Sequence, residues 1–422
     1  CGLAKRPDVQ VILGVSPQEL VWMEHEDPSF IQFFERIMLK QQKSIEQIRI
    51  LMLAAASFRR ERPVEVSEEV LQTILSYAER FPSLGHLPRA AISVLDESVA
   101  RVHLTKRTTL DTADVLAVLS EKTGVPLQQL EQNDLELVQN IEGERNQKII
   151  NQKAAIAVIA NVLRRAKLGL RNPARPLGSF LMLGPSGVGK TETAKLVAQL
   201  VFGRKENFIR FDMSEFGQEH GWQRLVGAPP GYVGYEAGGE LTNSIKAEPH
   251  SLILLDELEK AHSKAFDAFL QILDDGRLTS GQGETVDFRQ SIVMATSNLG
   301  VSEILEAARQ GVNIHGREFR EDVLTSLLVR RFRLEFLNRF DSILVFNPLQ
   351  PEDLLEISKL EIKKIEERLK NHRIVFRIDP VVLARNISRM ADPRFGARPV
   401  KRFVEEVCET LMTKHLLQHK SI

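Results

Sequence analysis

Two hydrophobic rhythms divide the chain. From about residue 28 to residue 101, apolar positions recur at helical spacing. Residues 51–58 are apolar and alanine-rich, and Val70, Leu71, Ile74 and Leu75 fall on one face. Pro88 is placed to open a further helix carrying Ala91, Ile92, Val94 and Leu95, because proline's fixed φ and missing N–H suit a first helical turn. Residues 105–108 (TKRT) form a polar joint, and 110–119 predicts another short helix, punctuated by Gly124 and Pro126. Ahead of all this, residues 9–15 (VQVILGV) predict a strand. From Ser179 the rhythm changes. Apolar runs at 180–183, 208–211, 252–255, 292–295 and 343–346 alternate with helical stretches. Short apolar runs between crossover helices predict buried strands, hence a three-layer α/β domain with a mostly parallel sheet. After Pro348, an amphipathic helix carries Leu354, Ile357, Ile362, Ile365 and Leu369 on its apolar side. Residues 374–378 alternate like a strand, and the rest reads as helix, giving a small α+β domain at the end.

Charge and cysteine usage narrow the function classes. The 422 residues hold 56 Lys plus Arg against 56 Asp plus Glu, so no net field draws the chain to nucleic acid or an anionic membrane. Cys1 and Cys408 are its two cysteines, which indicates no disulfide framework. No signal peptide and no membrane-spanning run is read, and a cytoplasmic protein is expected. The chain opens on Cys1 and soon enters an apolar stretch, as expected of a segment cut from a longer protein.

The chemistry sits in the α/β region. Residues 184–191 are Gly184-Pro185-Ser186-Gly187-Val188-Gly189-Lys190-Thr191, followed by Glu192, between a predicted strand and a predicted helix. This is the full Gly-x4-Gly-Lys-Thr pattern. Its glycines let the backbone wrap a polyphosphate with N–H groups pointing inward, and the next helix offers its positive end. Lys190 is expected at the β and γ phosphates of ATP, and the Thr191 hydroxyl at Mg2+. Residues 252–257 (LILLDE) end an apolar strand on two acids, where open α/β sheets bind ligands. Asp256 is expected to hold the metal and Glu257 to polarise the attacking water; a helix-capping acid is the plainer role for either. Asn298, ending the run IVMATSN, would position that water or, more plainly, form a turn before Gly300.

Together these motifs resemble the second nucleotide-binding module of the Clp/Hsp100 AAA+ unfoldases and disaggregases, over roughly residues 140 to 420. The ordered series is GSFLMLGPSGVGKTE (178–192), RFDMSEF (210–216), RLVGAPPGYVGYEAGG (224–239), LLDELEKAH (254–262), DDGRLTSGQGETVDFR (274–289), TSNLG (296–300), FRLEFLNRFD (332–341) and DPRFGARPVKR (392–402). The resemblance implies a P-loop NTPase AAA+ fold with a small C-terminal lid. By it, Asn298 is similar to the sensor of the γ phosphate, Arg339 to the arginine finger that completes a neighbouring subunit's site, and Arg398 to the second sensor. Arginine suits both roles, being always charged and forked for phosphoryl oxygens. The base would lie near Ile149, Ile150 and Gln152, where the family has Ile-Gly-Gln and this chain has Asn151 for the glycine. Tyr232, Val233, Gly234 and Tyr235 resemble the substrate-gripping pore loop, and residues 281–284 a second loop lining the same channel.

Residues 1 to about 130 resemble the end of the family's first module, through LGVSPQEL (13–20), EDPSF (26–30) and LPRAAISVLDE (87–97). The family's paired arginines are replaced by Gln32 and Phe33, with Arg36 displaced, and the first sensor's threonine pair reads Ser16-Pro17. A first ring weak in hydrolysis is expected. The expected division is therefore 1–30, a remnant of the first α/β domain; 31–130, its helical small domain; 131–172, a linker with the base-binding segment; 173–347, the large ATPase domain; and 348–422, the lid. The disaggregase branch's long coiled-coil insertion is absent, while residues 300–330 lack the tripeptide that docks the other branch on its peptidase; Val312-Asn313-Ile314 is no match.

The expected function is an ATP-dependent unfoldase or remodelling chaperone, working as a homo-oligomer, a hexameric ring, on unfolded or misfolded polypeptide. A Clp-type peptidase, a membrane and nucleic acid are not expected partners. A nucleotide-gated assembly scaffold with little hydrolysis is the competing class, and a nucleic-acid motor a third.

Overall fold

The computed structural model describes residues 11–15, 20, 23, 28–37, 44–81, 84–123, 149–203, 207–228, 238–369 and 378–419. The 232–235 loop and residues 374–377 lie outside them.

The first helical unit forms where the 3.6-residue rhythm is strongest. Helices α1 (Ser44–Glu61), α2 (Glu68–Arg80), α3 (Arg89–Leu104) and α4 (Thr112–Thr123) pack around Leu51, Ile74, Val94, Leu95, Val115 and Leu119, none more than 1% exposed. Ser67 caps α2 by accepting from the Val70 N–H at 3.3 Å. Pro88 stands at the cap position of α3, as the proline signal predicts, and the TKRT joint follows the end of that helix. Of the strand expected at 9–15, the described part does not form. Residues 11–15 carry no strand pairing, and Ile12 is 97% exposed. A strand needs a neighbour for its backbone groups, and none lies beside this segment among the described residues.

All five apolar runs of the α/β region form strands. They are β1 (Gly178–Leu183), β2 (Phe208–Asp212), β3 (Leu252–Asp256), β4 (Ile292–Ser297) and β5 (Ser342–Val345), parallel throughout and ordered β2-β3-β4-β1-β5. Their alternate residues feed two separate cores. Leu181, Leu183, Ile253, Leu255, Val293 and Ala295 face one side, with Phe269 and Ile272 of α9 (Ser263–Asp275). Phe180, Met182, Leu252, Leu254, Ile292 and Met294 face the other, with Ile156 and Ile159 of α5 (Lys153–Lys167) and Val197 of α6 (Lys190–Phe202). Burial on both faces is why β1, β3 and β4 lack polar alternation, while the edge strand β2 exposes Arg210.

The C-terminal domain joins the second core. Leu354 of α11 (Pro351–Leu369), Leu383 and Ile387 of α12 (Pro380–Met390) and Val400 of α13 (Arg398–His419) belong to the same buried cluster as β1 and α6. This packing stands the first turn of α13 over the carboxyl edge of the sheet, and no helix among the described residues is long and apolar enough to cross a membrane.

Candidate active site: a nucleotide cleft at the sheet's carboxyl edge

β1 is an inner strand, yet the chain leaves it through α6 to the far edge strand β2, so a crevice opens at the carboxyl ends beside β1. There the phosphate loop turns through Gly184 (φ +143°), Gly187 (φ +72°) and Gly189 (φ +107°), and Lys190 opens α6. A cleft of about 1270 Å³ is lined by residues 186–192 of the loop, Ile149 and Ile150, Asp256 and Glu257, Asn298, and Arg398. Gly184 and Pro185 lie beneath its floor, where their carbonyls accept from Lys190 Nζ, Pro185 at 3.1 Å.

Lys190 is 8% exposed, and its Nζ also reaches Asn298 Oδ1 at 3.2 Å. Burial pushes its pKa down from 10.5 to about 8, against the opposing pull of Asp256 and Glu259, while Arg398 lowers it further. The ammonium is thus poorly solvated and bonded to neutral oxygens, a position that an anion in the cleft would improve.

The two acids are held by a residue that the motif reading did not single out. Thr296 in β4, 2% exposed, donates from Oγ1 to Asp256 Oδ1 at 2.5 Å and accepts from the Glu257 N–H at 3.0 Å. The other Asp256 oxygen accepts from Arg210 of β2 at 2.6 and 3.1 Å. Glu257 adopts a left-handed backbone, φ +56°, unfavourable for a residue with a Cβ, and its carboxylate pairs with Lys260 at 2.5 Å. A signal for Thr296 existed: it is a hydroxyl residue inside an apolar strand, one step beyond the Leu255–Ala295 pairing and so beside Asp256. The Thr191 hydroxyl and the Asp256 carboxylate are hard oxygen donors facing one cleft, a set that fits Mg2+ when phosphate oxygens complete it. Among the described residues no group of three or more His, Cys, Asp or Glu could hold a metal unaided.

Two expected residues stand elsewhere. Gln152 does not line the cleft. It is 1% exposed, and its amide is consumed by the backbone: Nε2 donates to Val188 O at 3.2 Å and Asn347 O at 3.0 Å, and Oε1 accepts from Asn347 N–H at 2.9 Å. Its role is to tie the base segment to the phosphate loop. Arg339 also lies outside its own cleft, with Nε 2.8 Å from Asp274 of α9. Asn151, which stands for the family's glycine, takes φ +58°. Asparagine is among the residues that tolerate this region, so the backbone turn survives the replacement.

The comparisons with known proteins agree with this architecture. A family model for the AAA domain (Cdc48 subfamily) matches residues 175–343, one for the C-terminal D2-small domain of ClpB matches 349–421, and one for an AAA lid domain matches 43–153. The chaperone protein ClpB of Meiothermus ruber is 44% identical over 304 residues, covering 72% of this chain and 35% of the relative. The negative regulator of genetic competence ClpC/MecB of Bacillus subtilis is 32% identical over 478 residues, covering 98% and 59%. The chain therefore spans about a third of the ClpB relatives it matches. The solved structure of Saccharomyces cerevisiae Hsp104 with ADP superposes with a TM-score of 0.81 at 31% identity, covering 95% of this chain and 69% of that one. A closed-state reconstruction of Hsp104 with ATPγS and casein gives 0.76 at 31% identity, covering 96% and 70%. With its phosphate loop, paired acids and lid arginine in one cleft, the chain belongs to the Clp/Hsp100 family of AAA+ ATPases.

Proposed function

We propose that this chain is the motor portion of an ATP-driven protein-remodelling machine. It binds ATP with Mg2+, assembles into a homo-oligomeric, hexameric ring in the cytoplasm, and threads unfolded or misfolded polypeptide past the loop at Tyr232, Val233, Gly234 and Tyr235. One observation carries the reading. Lys190, Asp256, Glu257, Asn298 and Arg398, drawn from four separate segments, meet at one cleft. Thr191 and Asp256 would hold Mg2+, which neutralises phosphate charge when bound. Lys190 would hold the β and γ phosphates, Glu257 would orient the attacking water, Asn298 would read the γ phosphate, and Arg398 would reach it from the lid. Ile149 and Ile150 offer the base an apolar wall. The domain division at residues 30, 130, 172 and 347 is part of the same proposal.

Polypeptide is the substrate class favoured by the casein held in the Hsp104 structures. A Clp-type peptidase is left out of the machine. Ile314, the apolar end of the tripeptide at 312–314, is 6% exposed and packed in the core, so it is not displayed for docking.

The test uses the full chain and its Glu257→Gln variant with fluorescent casein. The wild type should turn over ATP and release casein, while the variant with ATP should retain casein and hydrolyse very slowly. A wild type that binds ATP and assembles but turns over at background would make the chain a scaffold and overturn the motor.

A further inference from the structure

The base end of the cleft is held by a polar cluster that takes no part in the chemistry. Asn347, just beyond β5, stands at its centre. Its Nδ2 donates to the Asn151 carbonyl at 2.8 Å and lies 3.4 Å from Asn151 Oδ1. That fixes the amide's orientation, so Oδ1 is the atom facing His315 Nε2 at 2.9 Å, and the ring nitrogen is the donor. The backbone of Asn347 takes both ends of the Gln152 amide, at 2.9 and 3.0 Å, and Gln152 continues to Val188 in the phosphate loop. Asn151 in turn donates to Asp353 Oδ2 at 2.7 Å, and the same oxygen accepts from Gln350 N–H at 2.8 Å. Ile149 and Ile150, which line the cleft, are thus suspended from a frame that a left-handed asparagine and a second asparagine hold in place.

We propose that Asn347 is a positioning residue for the nucleotide base, with His315 as its outer anchor. This rests on the reading that the cleft binds ATP. The phosphate loop keeps its contacts when the Asn347 side chain is lost, because Gln152 bonds to Val188 and to the Asn347 backbone, and Lys190 is held by Gly184, Pro185 and Asn298. Loosening the frame therefore costs the base its wall and leaves the phosphates their cradle. A ligand made of phosphates alone is blind to it.

The experiment compares Mg-ATPγS with Mg-tripolyphosphate on the full chain by calorimetric titration, for wild type, Asn347→Ala, His315→Ala and His315→Gln. Asn347→Ala should bind ATPγS about tenfold more weakly, the worth of one lost buried hydrogen bond, with tripolyphosphate affinity unchanged. His315→Ala should lose roughly threefold for ATPγS, and His315→Gln should recover most of it, because an amide N–H replaces the ring donor. Equal weakening for both ligands, or ATPγS affinity unchanged, in folded Asn347→Ala overturns the proposal. Should that variant not fold, equal ATPγS affinity in the two His315 variants overturns it. Wild type that binds neither ligand overturns this inference together with the nucleotide reading, whereas normal wild-type binding with an indifferent Asn347→Ala overturns this inference alone.

Discussion

The carbonyl of Gly187 accepts a hydrogen bond from the backbone N–H of Ala397 at 3.1 Å, so the phosphate loop and the lid meet backbone to backbone. Neither side leaves room for a side chain. A Cβ on Gly187 (φ +72°) would stand 2.6 Å from the Phe395 carbonyl oxygen, and one on Gly396 (φ +56°) 2.5 Å from that of Ser186. Arg398 begins α13 two residues on, so this contact sets where its guanidinium stands relative to the loop.

Gly396→Ala should therefore separate two effects when set against Gly283→Ala. At Gly283 the φ is +84° with nothing within 4 Å, so alanine adds backbone strain alone, on the order of 1 kcal/mol. At Gly396 the same strain is joined by a clash with a backbone oxygen that cannot yield. We expect Gly396→Ala to lose about 2–4 kcal/mol and to weaken ATP binding clearly, and Gly283→Ala to leave binding intact. Denaturant unfolding and ATP titration of both variants check this.

Lys190 gives the protein's stability a pH signature. Burial holds its pKa near 8, below the 10.5 of a free lysine. Below pH 8 both folded and unfolded chains carry the proton, and the cost of burying the charge is fully present. Between about pH 8 and 10.5 the unfolded chain binds more protons than the folded one, so stability from this group rises with pH. The nucleotide-free wild type should gain about 2 kcal/mol from pH 7.5 to 9.5 relative to Lys190→Met, which has no proton to lose. Parallel unfolding curves for the two proteins across that range would refute it.

How far the sequence was readable depends on whether the deciding interaction is local. The inner strands β1, β3 and β4 were legible because burial on both faces writes a solid apolar run. The phosphate loop was legible because its glycines and Lys190 serve one turn. The run at 9–15 misled, since apolarity marks what is able to be buried and says nothing of a pairing partner. Gln152 was placed near the cleft but not seen as a brace, because its partners Val188 and Asn347 lie far along the chain. His315 and Asn347 had no local signal at all. The grip expected of Tyr235 falls outside the described residues, and its test is Tyr235→Ala: ATP turnover mostly kept, polypeptide translocation clearly reduced.

Arg339 sits against Asp274 and away from its own cleft, which leaves a neighbouring subunit's γ phosphate as the target we propose for it. Arg339→Ala should keep ATP binding and lose hydrolysis. Lys190→Ala keeps Arg339 but has no productive phosphate site. Mixed assemblies of these two inactive variants should recover part of the ATPase activity, since some adjacent pairs join a sound site to a sound finger. Co-assembled mixtures with no recovery would place the finger in cis or the role elsewhere.

Thr296 bonds to both acids. One hydroxyl links both acids, donating to Asp256 and accepting from the N–H of Glu257, whose left-handed backbone is otherwise held by Lys260, through its N–H to the Glu257 carbonyl at 2.9 Å and its ammonium to the carboxylate. Thr296→Val keeps the shape of the buried side chain and removes both bonds. The Glu257 N–H then loses its partner, which costs roughly 1–3 kcal/mol of local stability, and the acids keep only their outer partners, Arg210 on Asp256 and Lys260 on Glu257. ATP binding rests chiefly on the loop backbone and Lys190, so its affinity should change little. Turnover depends on where Glu257 stands at the instant water attacks, and it should fall about 10- to 100-fold. Glu257→Gln removes the carboxylate charge itself and should fall at least 10²-fold. If Thr296 acts through Glu257, the double variant should be hardly slower than Glu257→Gln alone, because a misplaced amide has little left to lose. Single-turnover hydrolysis by all three folded variants decides it: multiplied losses would make Thr296 an independent contributor, and a wild-type rate for Thr296→Val would remove it from the site.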